Sequence, residues 1–273
     1  MPTTAAPSDP ERDATPEVRS AWTEVNGLTM HARIAEGAGA VAPPVVLVHG
    51  VGVSSRYMLP TLRRLAASYR VYAPDLPGFG RSDHPPDVLG PAPLADALAA
   101  WMGVMGLGDA VVLGNSMGCQ VAVDLALRHP ERVGRLVLTD PTGDPEAQAV
   151  TPVLLWGALD VLGEPPSLWP RLVLDYFLAG PLRTLRTLRR ALAVPMRHKL
   201  PEVRVPALVV RGGRDRIVSQ CWVEEVARLL PRGELLVIPD ATHAANFSAP
   251  DALARAVHSF LARHPPLRLG GFA

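Results

Sequence analysis

The sequence predicts an α/β fold: a mostly parallel, eight-stranded-type sheet flanked by helices, with an inserted helical segment. Three observations lead there. Short apolar, β-branched runs alternate with stretches of helical spacing, the pattern of a sheet covered on both faces. One such transition, VVLGNSMGCQVAVDLAL, joins a strand directly to a helix, and the joint Gly114-Asn115-Ser116-Met117-Gly118 reads G-x-S-x-G. From Gly143 to about Val203 strand signals vanish, leaving Leu-rich helical patterns cut by Pro145, Pro152, Pro165, Pro166, Pro170, Pro181 and Pro195.

Taken in order, residues 1–20 are polar and Pro-rich, with neither an apolar core nor a basic start. They are expected to be a loose tail and not a signal peptide. Trp22 to Val25 and Leu28 to Ile34 flank Asn26-Gly27, a hairpin signal. Pro44 to Val48 is a buried-type strand ending in His49-Gly50-Val51-Gly52. Tyr57 to Ser68 has helical spacing. Arg70 to Ala73 is a strand that runs into Asp75-Leu-Pro-Gly-Phe-Gly-Arg-Ser-Asp83. Leu94 to Met105 is a helix. Ala110 to Leu113 and Val121 to Leu127 are the strand and helix around Ser116. Arg135 to Thr139 is a strand meeting Asp140-Pro141, and Ala207 to Val210 and Leu235 to Ile238 are two more. Helices follow around Cys221 to Leu230 and Pro250 to Arg263. The organisation is then a tail (1–20), a core in two pieces (21–142 and 204–273), and a helical insert (143–203) that can form a lid over the carboxyl ends of the strands.

With 48% hydrophobic and 19% charged residues the chain is globular, not disordered. A net charge of +1 gives no reason to expect nucleic acid or a membrane surface as partner. Of 27 lysines and arginines only Lys199 is lysine, which with the alanine excess reads as composition bias. Cys119 and Cys221 make no disulfide framework and no metal spacing, and Cys119 reads as a small buried apolar residue. No run of 18 apolar residues exists, so no spanning helix is expected and a cytoplasmic location follows. Without H-E-x-x-H, a Cys/His cluster or a P-loop, no metal or nucleotide cofactor is expected.

Four motifs stand in a telling order: HGVG after one strand, DLPGFGRSD after the next, GNSMG, and a late Asp and His. On these the chain resembles the α/β-hydrolase fold with a small helical cap, over about Glu24 to Arg263. The resemblance implies a Ser-His-Asp hydrolase in which Ser116 is the nucleophile, followed in chain order by an acid and a histidine. Of the eight histidines, His243 follows the last strand by a few residues and sits on the edge that carries the serine turn. His49 is expected to support the neighbouring loop, His129 closes a helix, His258 and His264 lie on or after the last helix, and His31, His84 and His198 have no matching placement. Two carboxylates are candidates for the acid. Asp215, after Gly212-Gly213, matches the usual family position and is favoured; Asp140 follows the earlier strand, where some relatives place theirs. The backbone N–H groups of Val51 and Met117 are expected to form the oxyanion hole. Asp75 and Asp83 belong to a Pro-Gly-x-Gly turn and are read as structural.

Gly50 lets its loop approach a substrate closely. Trp156, Trp169 and Phe177, among the leucines of the insert, are expected to favour an apolar acyl or ring group, although such residues also serve as core. The helix expected from Pro181 to Lys199 carries Arg183, Arg186, Arg189, Arg190, Arg197 and Lys199, which form either a solvated face or a dock for an acyl carrier protein or a coenzyme A thioester. The expected function is hydrolysis of a carboxylic ester, lactone or thioester through an acyl-enzyme. The alternatives are C–C bond hydrolysis, acyl transfer or cyclisation by the same residues, or a ligand-binding module with an idle triad. Candidate partners are a small-molecule substrate, a carrier-bound acyl group, and a second copy of the chain. Dehalogenase and epoxide hydrolase chemistry is disfavoured, because those relatives carry Asp where this chain has Ser116.

Overall fold

The computed structural model describes residues 16–37, 43–144 and 161–265. Its first two strands, β1 (Val18–Val25) and β2 (Leu28–Glu36), pair antiparallel. Asn26 (φ 52°) and Gly27 (φ 77°) join them with two consecutive positive-φ residues, as a tight hairpin requires. β1 starts at Val18, inside the stretch expected to be tail. Its alternation of half-buried and exposed residues suits an edge strand and carries little hydrophobic signal.

The sheet continues with β3 (Val45–Val48), β4 (Arg70–Pro74), β5 (Ala110–Asn115), β6 (Val133–Thr139), β7 (Ala207–Gly212) and β8 (Gly233–Ile238). Its spatial order is β1-β2-β4-β3-β5-β6-β7-β8. β2 meets β4 antiparallel, and every pairing from β4 through β3 to β8 is parallel.

The central strands are buried on both faces, which is why they are continuous apolar runs in the sequence. Successive residues divide between two apolar layers. Val46, Val48, Val112, Leu136, Leu138 and Val209 face one, and Val45, Leu47, Val111, Leu113, Val137 and Val210 the other. The first layer is closed by α2 (Pro91–Val104), α3 (Met117–Arg128) and α6 (Gln220–Leu229), which contribute Leu98, Val121 and Val226. The second is closed by α1 (Leu59–Leu65) and α8 (Pro250–Arg263), through Leu62, Leu65, Val257 and Phe260. Each fully buried side chain of this kind stabilises the fold by roughly 1.5–3 kcal/mol.

Between β6 and β7 lie α4 (Trp169–Ala179) and α5 (Pro181–Leu192), joined at Gly180, whose φ of 81° few other residues adopt. The expected helix from Pro181 to Lys199 stops at Leu192. Pro195 cannot continue it, and Met196–His198 form a separate 3₁₀ turn. The segment is fastened to the core at buried polar points. Ser54 donates to Asp175 Oδ2 at 2.7 Å, Arg56 pairs with the same carboxylate at 3.3 Å, and Lys199 pairs with buried Asp124 on α3. A short helix, α7 (Ala245–Ser248), precedes α8.

Candidate active site

The loops after β3, β5, β6, β7 and β8 all emerge at the carboxyl edge of the parallel strands, the edge where open α/β sheets hold their ligands. Ser116 occupies the turn between β5 and α3. Its backbone (φ 57°, ψ −123°) is one that side-chain-bearing residues rarely adopt. The surroundings hold it there: Ser116 N–H donates to Thr139 O at 3.0 Å, and Cys119 N–H donates to Ser116 O at 3.0 Å. A Cβ on Gly114 would run into the backbone of Gly118, and one on Gly118 into the carbonyl of Val48. The two glycines therefore let α3 meet the sheet backbone to backbone, as the motif demands.

His243 lies in the loop between β8 and α7. Its Nδ1 is 2.9 Å from Asp215 Oδ2, and the other oxygen of Asp215 accepts from the N–H groups of Ile217 (2.6 Å) and Val218 (3.0 Å). Burial opposes ionisation of Asp215. The charge and hydrogen bond of His243 and the Val218 N–H outweigh it, and the carboxyl is held below its ordinary range. With Nδ1–H given to Asp215, Nε2 of the neutral ring carries the lone pair. Asn115 ties this loop to the serine turn: its Nδ2 donates to His243 O at 3.1 Å, while its Oδ1 accepts from Tyr57 OH at 3.0 Å.

Asp140 follows β6, with a φ of 49° and no exposure. Its Oδ1 accepts the Gly212 N–H at 2.7 Å. Burial first, and then the charge of Asp215, push Asp140 well above the carboxylate range. The negative charge of the two therefore favours Asp215 over Asp140.

The glycine-rich loop after β3 completes the rim. His49 is fully buried. Its Nδ1 is 2.7 Å from Gly50 O and its Nε2 accepts the Leu76 N–H at 3.0 Å, which fixes the Nδ1–H tautomer. Burial lowers its pKa and keeps the ring neutral. Gly50 approaches closely enough that a Cβ there would sit 3.2 Å from Ser116 Cβ. Asp75, by contrast, holds up the scaffold. It hydrogen-bonds with His31 Nδ1 (2.8 Å) and accepts from Ser55 N–H (2.6 Å) and Arg81 N–H (2.9 Å). Burial alone would raise its pKa, but these partners bring it down to about 2.

A cavity of about 350 Å³ opens at this edge. Ser116, His243, Gly50, Val51 and Met117 line it, and Asp215 stands behind His243. Two residues expected to bind substrate do not. Trp169 is 40% exposed and donates through Nε1 to Val161 O at 2.9 Å; Phe177 is 71% exposed. Leu168, Leu172 and Tyr176, at four-residue spacing, face the cavity instead. Trp169 and Phe177 each follow one of these by one position, about 100° further round the helix. Trp156 lies outside the described residues. Helix α5 adds Thr184 and Leu188, and the core adds Tyr57, Gln120 and Trp222. Glu164 also reaches the cavity wall, and nothing in its local sequence, GEPPS, distinguishes it.

Of the six basic residues from Arg183 to Lys199, three are engaged with the core. Arg183 donates to Pro85 O at 2.9 Å, Arg197 pairs with Glu225, and Lys199 with Asp124. Arg186, Arg189 and Arg190 are exposed. Among the described residues no group of three or more His, Cys, Asp and Glu could hold a metal ion, and no helix is long and apolar enough to cross a membrane.

A hydroxyl at a strained turn and an imidazole backed by a carboxylate, sharing one cavity, form a set suited to nucleophilic attack on a carbonyl. Comparison with known proteins identifies the family. Residues 45–256 match the model of the alpha/beta hydrolase family. A pimeloyl-[acyl-carrier protein] methyl ester esterase of Neisseria meningitidis is 32% identical over 245 residues, covering 80% of this chain and 92% of that protein. The abhydrolase domain-containing protein abhd-5.2 of Caenorhabditis elegans is 35% identical over 138 residues, but these are only 47% of this chain and 31% of that protein. A thermophilic esterase from Thermogutta terrifontis superposes with a TM-score of 0.74 at 26% identity, covering 92% of this chain and 99% of that one. The chain thus belongs to the alpha/beta hydrolase family and is a hydrolase.

Proposed function

We propose that the protein is a serine esterase that hydrolyses a carboxylic ester, lactone or thioester with an apolar acyl group. The observation that carries this reading is the His243–Asp215 hydrogen bond beside a cavity shared with Ser116. Ser116 Oγ attacks the carbonyl carbon while His243 Nε2 takes its proton. The C–O or C–S bond then breaks, and the leaving group departs with that proton. Water, activated by the same nitrogen, adds to the acyl-enzyme and releases the acid, regenerating the serine. The backbone N–H groups of Val51 and Met117 stabilise the anion, each contributing about 3–4 kcal/mol. Residues 143–203 act as a cap on the core, and the Leu168, Leu172 and Tyr176 face selects an apolar acyl chain.

The test is turnover of p-nitrophenyl esters of graded chain length, with active-site labelling by a fluorophosphonate. Ser116→Ala and His243→Ala should each lower kcat by roughly 10⁴-fold or more, and Ser116→Ala should abolish labelling. A Ser116→Ala variant that keeps the wild-type rate would overturn the proposal.

A carrier-bound acyl group is a second reading, favoured by exposed Arg186, Arg189 and Arg190 and by the esterase relative whose name includes a carrier protein. It requires kcat/KM for an acyl-carrier ester to fall with added salt while that for a p-nitrophenyl ester does not. Equal salt dependence of the two would exclude it.

A further inference from the structure

We infer that Glu164, from the segment leading into α4, is a positioning residue that fixes the loop carrying His243. The inference rests on the assignment of His243 as the base.

Glu164 is 5% exposed, and both of its oxygens are bonded to that loop. Oε2 accepts from Thr242 Oγ1 at 2.7 Å and Oε1 accepts from Ala244 N–H at 2.9 Å. One carboxylate therefore grips the residues immediately before and after His243. From the opposite side Asn115 Nδ2 holds His243 O. The backbone of the histidine is thus held between the core and the insert.

The carboxylate is itself presented rigidly. Pro165 and Pro166 follow it, which restricts its backbone, and its N–H donates to Val161 O at 3.2 Å. Leu168, four residues on, lines the cavity. The same short segment therefore shapes the substrate pocket and holds the histidine, so seating of the insert and placement of the base are one event. Loss of Glu164 would leave the buried Ala244 N–H without its acceptor and free the loop to drift. A shift of about 1 Å at a catalytic group can cost on the order of 100-fold in rate.

The test compares Glu164→Ala, Glu164→Gln and Thr242→Val with the wild type in the full chain. It uses two readouts: amide hydrogen exchange of the 239–248 region, and kcat and KM on a p-nitrophenyl ester. In Glu164→Ala, exchange at Ala244 should rise at least about tenfold and kcat should fall roughly 10- to 100-fold, with KM within about twofold. Glu164→Gln keeps a carbonyl for the Ala244 N–H and an amide that the Thr242 hydroxyl can meet, and should stay within about threefold of the wild-type kcat. Thr242→Val, which removes one bond of the two, should fall between them; if Glu164→Ala does not fold, this variant carries the comparison. Unchanged loop exchange and kcat in Glu164→Ala, or a Gln variant as impaired as Ala, would overturn the inference. The exchange result stands whatever the substrate is. Absence of any Ser116-dependent turnover in the wild type would instead overturn the esterase reading.

Discussion

Asp140 and Asp215 are both tied to Gly212: Asp140 Oδ1 accepts the Gly212 N–H at 2.7 Å, and Gly212 O accepts the Asp215 N–H at 3.0 Å. Two carboxylates this close cannot both carry charge at low cost. Burial and the charge of Asp215 push Asp140 well above the carboxylate range, while Asp215 is held below it. Replacing Asp215 by Asn should cut kcat by roughly 10⁴-fold, because the amide favours the wrong imidazole tautomer. Asp140→Asn should cost no more than about threefold, since the amide has the same shape and its carbonyl can still accept from Gly212. Steady-state kinetics of the two variants decides the matter. An Asp140→Asn loss as large as that of Asp215→Asn would make Asp140 the acid that orients His243.

The raised pKa of Asp140 has a signature in stability. In the unfolded chain the group ionises near its ordinary value of 3.8, but in the fold it keeps its proton to much higher pH. Folding therefore takes up a proton above about pH 4, and this group's contribution becomes steadily less favourable as pH rises. Asp140→Asn cannot ionise and escapes the effect. Its Tm relative to wild type should climb between pH 4 and pH 8. A difference in Tm that does not vary over that range would contradict the assignment.

Asp75 should behave in the opposite way. Its folded pKa of about 2 lies below the ordinary value of 3.8. The stabilisation is complete above about pH 4 and disappears as pH falls through 2. The shift corresponds to about 2 kcal/mol. Asp75→Asn should cost at least that near neutral pH, and the gap between variant and wild type should close on acidification. Urea unfolding at pH 7 and pH 2.5 measures it; a gap of equal size at both would show that ionisation is not what stabilises the loop.

The two thiols should differ sharply in reactivity. Cys119 is fully buried, its thiol donates to Gly114 O (3.2 Å) and Thr139 O (3.3 Å), and burial pushes its pKa well above 9.0. Cys221 is exposed. Native protein treated with iodoacetamide at pH 8 should gain one label, at Cys221, and the second only after denaturation. Rapid labelling of Cys119 in the folded state would mean that the start of α3 opens readily.

The features readable from the sequence are those with a local cause. The central strands announce themselves because both faces are buried, and Ser116 because its turn needs glycine at 114 and 118. Asp215 and His243 are legible because each follows a strand end at short distance. Features that depend on distant partners are not legible. Helical spacing shows that α4 has an apolar face, but which face meets the cavity depends on how the helix docks, and so Leu172 and Tyr176 line it where Trp169 and Phe177 were expected. Glu164 looks like an ordinary turn residue until the chain brings Thr242 and Ala244 to it. Val18 to Ser20 read as tail because an edge strand with one wet face needs few apolar residues.

β6 and β7 are adjacent in the sheet, in register from Leu136 opposite Ala207 to Thr139 opposite Val210. All the chain between them is thus an excursion that leaves and rejoins the scaffold at neighbouring points. Closing such an excursion costs only slightly more when it grows longer. The segment is therefore a natural unit for transplantation: a relative's version could be spliced in to redirect selectivity without disturbing strand pairing. A graft that omitted counterparts of Glu164 and Asp175 would arrive without the fastenings that couple it to the chemistry beneath.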